Sequence, residues 1–197
     1  MPSYTGTDAP EQITGTSTAD VIHGAGGDDI IFGLGGDDIL HGDAGDDILV
    51  GGDGADTMYG GDGDDGILFS DGDTAFGGAG NDLFEIEHWN GGGFTLDGGI
   101  GTDAVNLQWM VAPPGGQSVV YFDDAEGTGP RILNVEIVLF SPMGNATAYG
   151  GSRNDTFVAH ENSSWSAIFY GGGGNDVLAG SMGGDRLYGG DGDDVIW

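Results

Sequence analysis

The chain has no cysteine, no lysine and only three arginines, Arg131, Arg153 and Arg186, among its 197 residues. Without cysteine there are no disulfides and no thiolate metal sites. Without basic surface, nucleic acid and anionic membrane are excluded as partners, because both are gripped through lysine and arginine. No apolar run approaches the roughly 18 residues of a membrane span, so no membrane insertion is expected. The polar segment from Met1 to Gln12 lacks the basic start and apolar stretch of a cleaved secretory signal.

What the chain does have is acid and glycine: 33 aspartates and glutamates, 44 glycines and a formal net charge of −30. Each glycine inside a helix costs roughly 1 kcal/mol relative to alanine, so helix is disfavoured throughout. A charge this large opposes compaction of the bare chain. Neutralisation has to come from an external cation.

The acids and glycines are in phase. Asp20, Asp29, Asp38, Asp47, Asp56 and Asp65 follow one another in steps of nine. Each closes a glycine-rich hexad and precedes a β-type triplet. The hexads start at Gly15, Gly24, Gly33, Gly42, Gly51 and Gly60. A one-residue deletion then brings Asp73 into line, and full phase resumes with Asp82. Single units end at Asp103 and Asp155, and three more carry Asp176, Asp185 and Asp194. The gaps from Asp82 to Asp103 and from Asp155 to Asp176 are both 21 residues, two steps plus three, so the solenoid is expected to pass through them. Ala146 and Ala167 stand where a carboxylate is due.

Glycine permits the positive-φ backbone of a tight turn and lets carbonyls crowd around an ion. A carboxylate at a fixed step from that turn adds a hard anionic oxygen, and calcium takes six to eight oxygens. The eighth position of each unit is apolar and expected to face inward: Ile22, Ile31, Leu40, Leu49, Met58, Ile67, Phe84, Leu178, Leu187 and Ile196. Three-residue strands bury too little to fold alone, so stacking and metal must both contribute.

The unit resembles the RTX, or hemolysin-type, calcium-binding nonapeptide repeat. The resemblance implies an all-β fold, a right-handed parallel β-roll (a β-helix solenoid) of stacked Gly/Asp-rich turns, here with a short irregular β insert. It also implies that turns 18 residues apart hold an ion between them. One turn would supply its second- and fourth-position carbonyls and its aspartate; the later turn would supply carbonyls one and three and its own aspartate. The matching pairs are Asp20/Asp38, Asp29/Asp47, Asp38/Asp56, Asp47/Asp65 and Asp176/Asp194. Carried over in this way, the carbonyls for Asp29/Asp47 are those of Ala25, Gly27, Gly42 and Ala44. For Asp38/Asp56 they are Leu34, Gly36, Gly51 and Asp53, and for Asp47/Asp65 they are Asp43, Gly45, Gly60 and Asp62. Asp176/Asp194 would use Gly172, Gly174, Gly189 and Asp191, and Gly33 and Gly35 would serve Asp20/Asp38. Asp73, Asp82, Asp103, Asp155 and Asp185 complete the metal set, for multiple calcium ions, roughly five to eight. Fifth-position Asp or Asn, such as Asp28 and Asp46, reads as loop-shaping.

Other patterns weigh less. His23 and His41 share the ninth position, 18 residues apart, and read as neighbours in a solvated surface ladder that continues to Tyr59, with a transition-metal pair as the alternative. No carboxylate–histidine arrangement supports a zinc enzyme. Outward positions seven and nine are unusually apolar, with Ile30/Phe32 and Ile48/Val50 in one ladder. Such stripes mark a covered surface, here expected to be packed by segment 107–147 or by a second copy. Between Ala104 and Ala148 strand-like runs appear at Val105–Val111, Ser118–Phe122 and Ile132–Phe140, read as a short hairpin and a third strand. Trp89, Trp109 and Trp165 read as packing residues, with a sugar-binding platform as the alternative.

The organisation expected is a lead-in over 1–14, a first stack over 15–106, a β insert over 107–149 and a second stack over 150–197. Two calcium-loaded stacks would thus flank a metal-poor centre. The function implied by the resemblance is a calcium-binding β-roll that folds on binding calcium, secreted to the extracellular space by the type I route. Alternatives are the calcium-binding module of a larger RTX enzyme and an adhesin contacting glycan. No catalytic constellation occurs in this chain, so it is not expected to be an enzyme.

Overall fold

The computed structural model describes residues 1–88, 93–107, 118–122, 131–133, 137–140, 146–159 and 166–197. All regular structure among them is β-strand, and every strand pairing is parallel. Successive nonapeptides alternate between two sheets of eleven and ten strands. The first sheet contains Ser3–Thr5, Val21–Gly26, Ile39–Ala44, Thr57–Asp62, Thr74–Ala79 and Thr95–Ile100 in spatial order. The second contains Gln12–Thr14, Ile30–Gly35, Ile48–Asp53, Gly66–Ser70, Leu83–His88 and Ala104–Leu107. Among the described residues no helix exists to cross a membrane.

Register follows the repeat. Ile22 pairs with Leu40 and Leu40 with Met58 in one sheet, and Ile31 with Leu49 and Leu49 with Ile67 in the other. Those eighth-position side chains are fully buried between the sheets, as are Phe84 and Leu178. Each contributes about 1.5–3 kcal/mol by leaving water. Leu187 is only partly buried and Ile196 is 47% exposed, because their strands are the last in each sheet. Strands are longer than the expected triplets. Val21–Gly26 continues through the first three turn residues, since Ala25 and Gly26 still pair with Asp43 and Ala44.

Residues before Gly15 belong to the roll. Ser3–Thr5 pairs with Val21–His23, and Gln12–Thr14 pairs with Ile30–Phe32. The one-residue deletion and both 21-residue steps are also absorbed as single coils, with Leu83 opposite Gly66, Ala104 opposite Leu83 and Val177 opposite Thr156.

The expected hairpin does not form. Ser118–Phe122 and Arg131–Leu133 pair in parallel, and Arg131–Leu133 lies between Ser118–Phe122 and Thr95–Ile100 in the first sheet. Ile137–Phe140 joins the second sheet between Ala104–Leu107 and Thr156–Ala159. The described strands of segment 107–147 therefore extend the sheets edge-on instead of covering an outer face, as the parallel register of the neighbouring coils dictates. Trp89, Trp109, Trp165 and His160 lie outside the described residues.

Candidate metal centre

In a strand, residues two apart point to the same side. The sixth, eighth and following first positions therefore all face the interior, which carries each aspartate inward at the edge of the roll. Eleven of them, Asp20, Asp29, Asp38, Asp47, Asp56, Asp65, Asp73, Asp82, Asp103, Asp155 and Asp176, are only 0–4% exposed. Asp185 and Asp194, on the last coil, are half-buried.

From Asp29 onward one carboxylate oxygen is typically held by the preceding coil, whereas Asp20 Oδ2 accepts the Thr16 N–H of its own turn at 2.6 Å. The backbone N–H of Asp20 donates to Asp38 Oδ1, that of Asp29 to Asp47 and that of Asp38 to Asp56, all at 2.8 Å. The 17-residue pairs keep this bond, Asp56 to Asp73 and Asp65 to Asp82 at 2.9 Å, and the 21-residue pair Asp82 to Asp103 keeps it at 2.8 Å. The second oxygen, Oδ2, is buried without a hydrogen-bond partner in Asp29, Asp38, Asp47, Asp56, Asp65, Asp82 and Asp176.

That oxygen faces a cradle. A methyl group on Gly24 would lie 2.5 Å from Asp29 Oδ2 and 2.6 Å from the carbonyl oxygen of Gly42. The same place beside Gly15 is bounded by Asp20 Oδ2 and the Gly33 carbonyl, and beside Gly171 by Asp176 Oδ2 and the Gly189 carbonyl. Gly51 and Gly60 carbonyls point back in the same way toward Gly33 and Gly42. Carbonyls of Leu34, Asp43 and Gly172, and of Gly27, Gly36, Gly45 and Gly174, point forward to the next coil. Third-position carbonyls of Asp53, Asp62 and Asp191 already accept the N–H of Gly36, Gly45 and Gly174 at 2.8–2.9 Å. Turn geometry is demanding at the second position, where Ala25, Leu34 and Asp43 adopt φ of 82°, 77° and 73°.

Fifth-position side chains form a separate, exposed ladder. Asp28 Oδ1 accepts the N–H of Asp46 at 3.1 Å, and Asp46 Oδ1 accepts that of Asp64 at 2.9 Å. These groups brace the loops.

Burial dominates the electrostatics. It pushes Asp65 and Asp73 up to about 7 and Asp47 and Asp56 up to about 6, against the lowering effect of the N–H bond from the previous coil. Neighbouring aspartates add to the rise. Asp29, Asp38, Asp82 and Asp176 are raised for the same first cause.

The aspartates fall into two rows with different fates. Turns leaving the first sheet carry Asp29, Asp47, Asp65, Asp82 and Asp103, and then Asp155, Asp176 and Asp194. Turns leaving the second sheet carry Asp20, Asp38, Asp56 and Asp73, after which Phe94 takes the sixth position, 4% exposed. In that row the first-position glycine also gives way to buried Phe69, Ile86 and Leu107. Phe69 meets Phe94 edge-to-face at 4.8 Å. Further along, Ala167 donates its N–H to Asp185 Oδ1 at 2.7 Å from the sixth position. Among the described residues, apolar side chains fill the cradle on this edge, where the opposite edge carries Asp82 and Asp103.

Sequence reasoning missed one turn. Glu11 occupies a sixth position: its N–H donates to Asp29 Oδ1 at 2.8 Å, and its carboxylate accepts Thr7 Oγ1–H at 2.6 Å. The signal was present, because Gly6, Glu11 and Ile13 precede Gly15, Asp20 and Ile22 by nine.

A family model described as the RTX calcium-binding nonapeptide repeat matches in four copies, over residues 5–40, 32–67, 67–85 and 168–197, more than half of the chain. The chain belongs to this RTX repeat family. No curated protein matches it as a relative. RTX repeats bind calcium, and the atoms here fit that ion: orphaned carboxylate oxygens and converging backbone carbonyls are hard donors, with neither sulfur nor nitrogen among them.

On the outer face of this RTX roll, His23, His41, Tyr59 and Phe76 stack in register at centroid distances of 4.2, 4.7 and 5.0 Å. Burial in the stack lowers the His41 pKa, aided by His23. Tyr149, Tyr170 and Tyr188 form a second ladder at 4.9 Å spacings.

Proposed function

We propose that this RTX chain folds around calcium, held between coils by the sixth-position aspartates and the turn carbonyls. The supporting observation is the burial of eleven carboxylates, 0–4% exposed, in a chain with three arginines and no lysine. A cluster of buried carboxylates with so few cationic side chains in the chain costs several kcal/mol per ion, so this packing at neutral pH calls for an external cation. Calcium supplies two positive charges and accepts six to eight oxygens. The chain supplies the oxygens: for the pair Asp29/Asp47, both Oδ2 atoms and the carbonyls of Ala25, Gly27, Gly42 and Ala44. The pair Asp65/Asp82, with Asp103 and Asp155, would extend this row, and the pair Asp56/Asp73 would extend the row on the opposite edge. A ligand that binds only the folded chain turns its binding energy into folding energy.

RTX proteins are typically secreted. Extracellular calcium modules work at about 10⁻⁴–10⁻³ M, well above cytosolic levels. A chain that stays loose inside and folds outside suits type I export, and we place this one there, alone or as a module of a larger RTX polypeptide. A surface-interaction role is the second reading, favoured by the tyrosine ladder on the outer face.

Circular dichroism during calcium titration tests the first reading. The chelator-treated chain is expected to lack β signal and to gain it cooperatively as calcium is added. An identical β signal and melting curve with and without calcium would sink the proposal. A glycan-binding screen of the calcium-loaded chain tests the second.

A further inference from the structure

The calcium cradles use oxygen alone, yet one cluster elsewhere on the roll is built from different donors. His23 and His41 lie opposite each other on the paired strands Val21–Gly26 and Ile39–Ala44, and Asp43 pairs with Ala25 two residues further along. We propose that His23, His41 and Asp43 form a second metal site, on the outer face of the first sheet, that takes a zinc-class transition-metal ion.

The geometry gives the cluster its shape. The two imidazole rings are parallel within 1° at 4.2 Å, and Asp43 Oδ2 sits 3.1 Å from His23 Nδ1. One ligand atom from each of the three residues lies within 4.8 Å of the others. Tetrahedral zinc, with bonds of about 2.0–2.1 Å to nitrogen, spaces its ligand atoms by roughly 3.3 Å. Closing the remaining gap takes only side-chain rotation, which His23 and Asp43 are free to make at 38% side-chain exposure each. The backbones beneath are fixed by the parallel ladder, so the donors stay together without folding around the ion.

Donor chemistry separates this cluster from the edges of the roll. Two imidazole nitrogens and one carboxylate suit zinc, nickel or copper, whereas calcium takes oxygen. Asp43 is also the one acid among the second-position residues of the hexads from Gly15 to Gly60, where Thr16, Ala25, Leu34, Gly52 and Gly61 stand in the other turns. It occupies that position at φ 73°, beside the strand pair that carries His23 and His41 in register. Tyr59 stacks on the far face of His41 at 4.7 Å and holds that ring in plane. Three protein ligands leave a fourth coordination position open to water or to a further ligand.

The test uses the full chain in excess calcium, so that folding is complete before zinc is added. A chromogenic chelator competed against Zn²⁺ is expected to report one zinc per chain. His23→Gln, His41→Gln and Asp43→Asn should each weaken it by at least about tenfold, the lower bound seen on loss of even an outer partner of a metal ligand. His88→Gln should leave it unchanged. Calcium-dependent circular dichroism checks that each variant folds as the native chain does; failure of the native chain to respond would refute the calcium reading alone, since zinc binding is read separately by the chelator and by the His23 and His41 resonances. In the native chain, zinc should shift the ring resonances of His23 and His41 in NMR spectra and spare His88. Stoichiometric zinc retained by the His23→Gln/His41→Gln double variant, displacement by millimolar calcium, or unshifted His23 and His41 resonances would overturn the proposal.

Discussion

Asp47 Oδ1 accepts the backbone N–H of Asp29, 18 residues earlier, at 2.8 Å, while its Oδ2 is buried with no hydrogen-bond partner. A single carboxylate thus ties one coil to the next and leaves one oxygen for a cation. Asp47→Ala removes both. It strands the Asp29 N–H, at about 1–3 kcal/mol, and takes a ligand from the two sites that Asp47 shares with Asp29 and Asp65. Calorimetric calcium titration should show fewer ions bound and a lower melting temperature with calcium. Asp46→Ala, which removes only a loop brace, should bind nearly the native number. Equal losses would refute the division of labour between fifth and sixth positions.

Gly24→Ala fills the cradle from the other side. The new methyl would sit 2.5 Å from Asp29 Oδ2 and 2.6 Å from the Gly42 carbonyl, closer than atoms tolerate. Overpacking of this kind costs about 1–3 kcal/mol, and here it also occupies the space between the two oxygens. Loss of one calcium with the β signal otherwise retained is expected; undiminished calcium stoichiometry would show that the ion lies elsewhere.

The apolar closure of one edge should be indifferent to calcium. Phe69→Ala opens a cavity beside Phe94 in a fully buried position and should destabilise the roll by about 3–5 kcal/mol. Denaturant melts at two saturating calcium concentrations should show the same loss. A penalty that vanishes with added calcium would mean that this edge, too, is held by metal.

Acid should partly replace calcium. Burial raises Asp65 and Asp73 to about 7 and Asp47 and Asp56 to about 6, from an ordinary value of 3.8. A carboxyl with a folded pKa above its unfolded one binds more protons in the folded state. Its contribution to the metal-free roll is therefore fully present below about pH 4 and is lost as pH rises through 6 to 7. The chelator-treated chain should gain β signal as pH falls from 8 to 4, and calcium affinity should fall over the same range. A metal-free β signal that grows with rising pH would contradict the burial of these groups.

Leu34 holds a φ of 77° and is 51% exposed. Left-handed backbone costs a non-glycine residue about 1–2 kcal/mol, partly offset by the extra freedom that glycine loses on folding. Leu34→Gly should therefore raise the calcium-loaded melting temperature modestly, by less than about 1 kcal/mol of stability. A lower melting temperature would indicate that the Leu34 side chain makes a contact worth more than the strain.

The nine-residue phase made the parallel roll, the inward row from Ile22 to Ile67 and the buried aspartates legible in advance, because period-two side-chain alternation is a local property of strand backbone. The turn at Glu11 was equally legible but hidden by one changed letter. The insert was not. Ile132–Phe140 reads as one strand in the sequence, yet Arg131–Leu133 and Ile137–Phe140 pair in different sheets, because each joins a neighbouring parallel edge.

The sequence alone determined that aspartates recur at a spacing suited to stacked turns and that no internal base answers them. Tertiary structure decided which aspartates share an edge. Because successive repeats alternate between sheets, Asp73 and Asp82 are neighbours in sequence but lie on opposite sides of the roll. One edge therefore continues past Asp82 to Asp103, while the other closes over Phe69, Ile86 and Phe94, a separation that linear spacing does not encode.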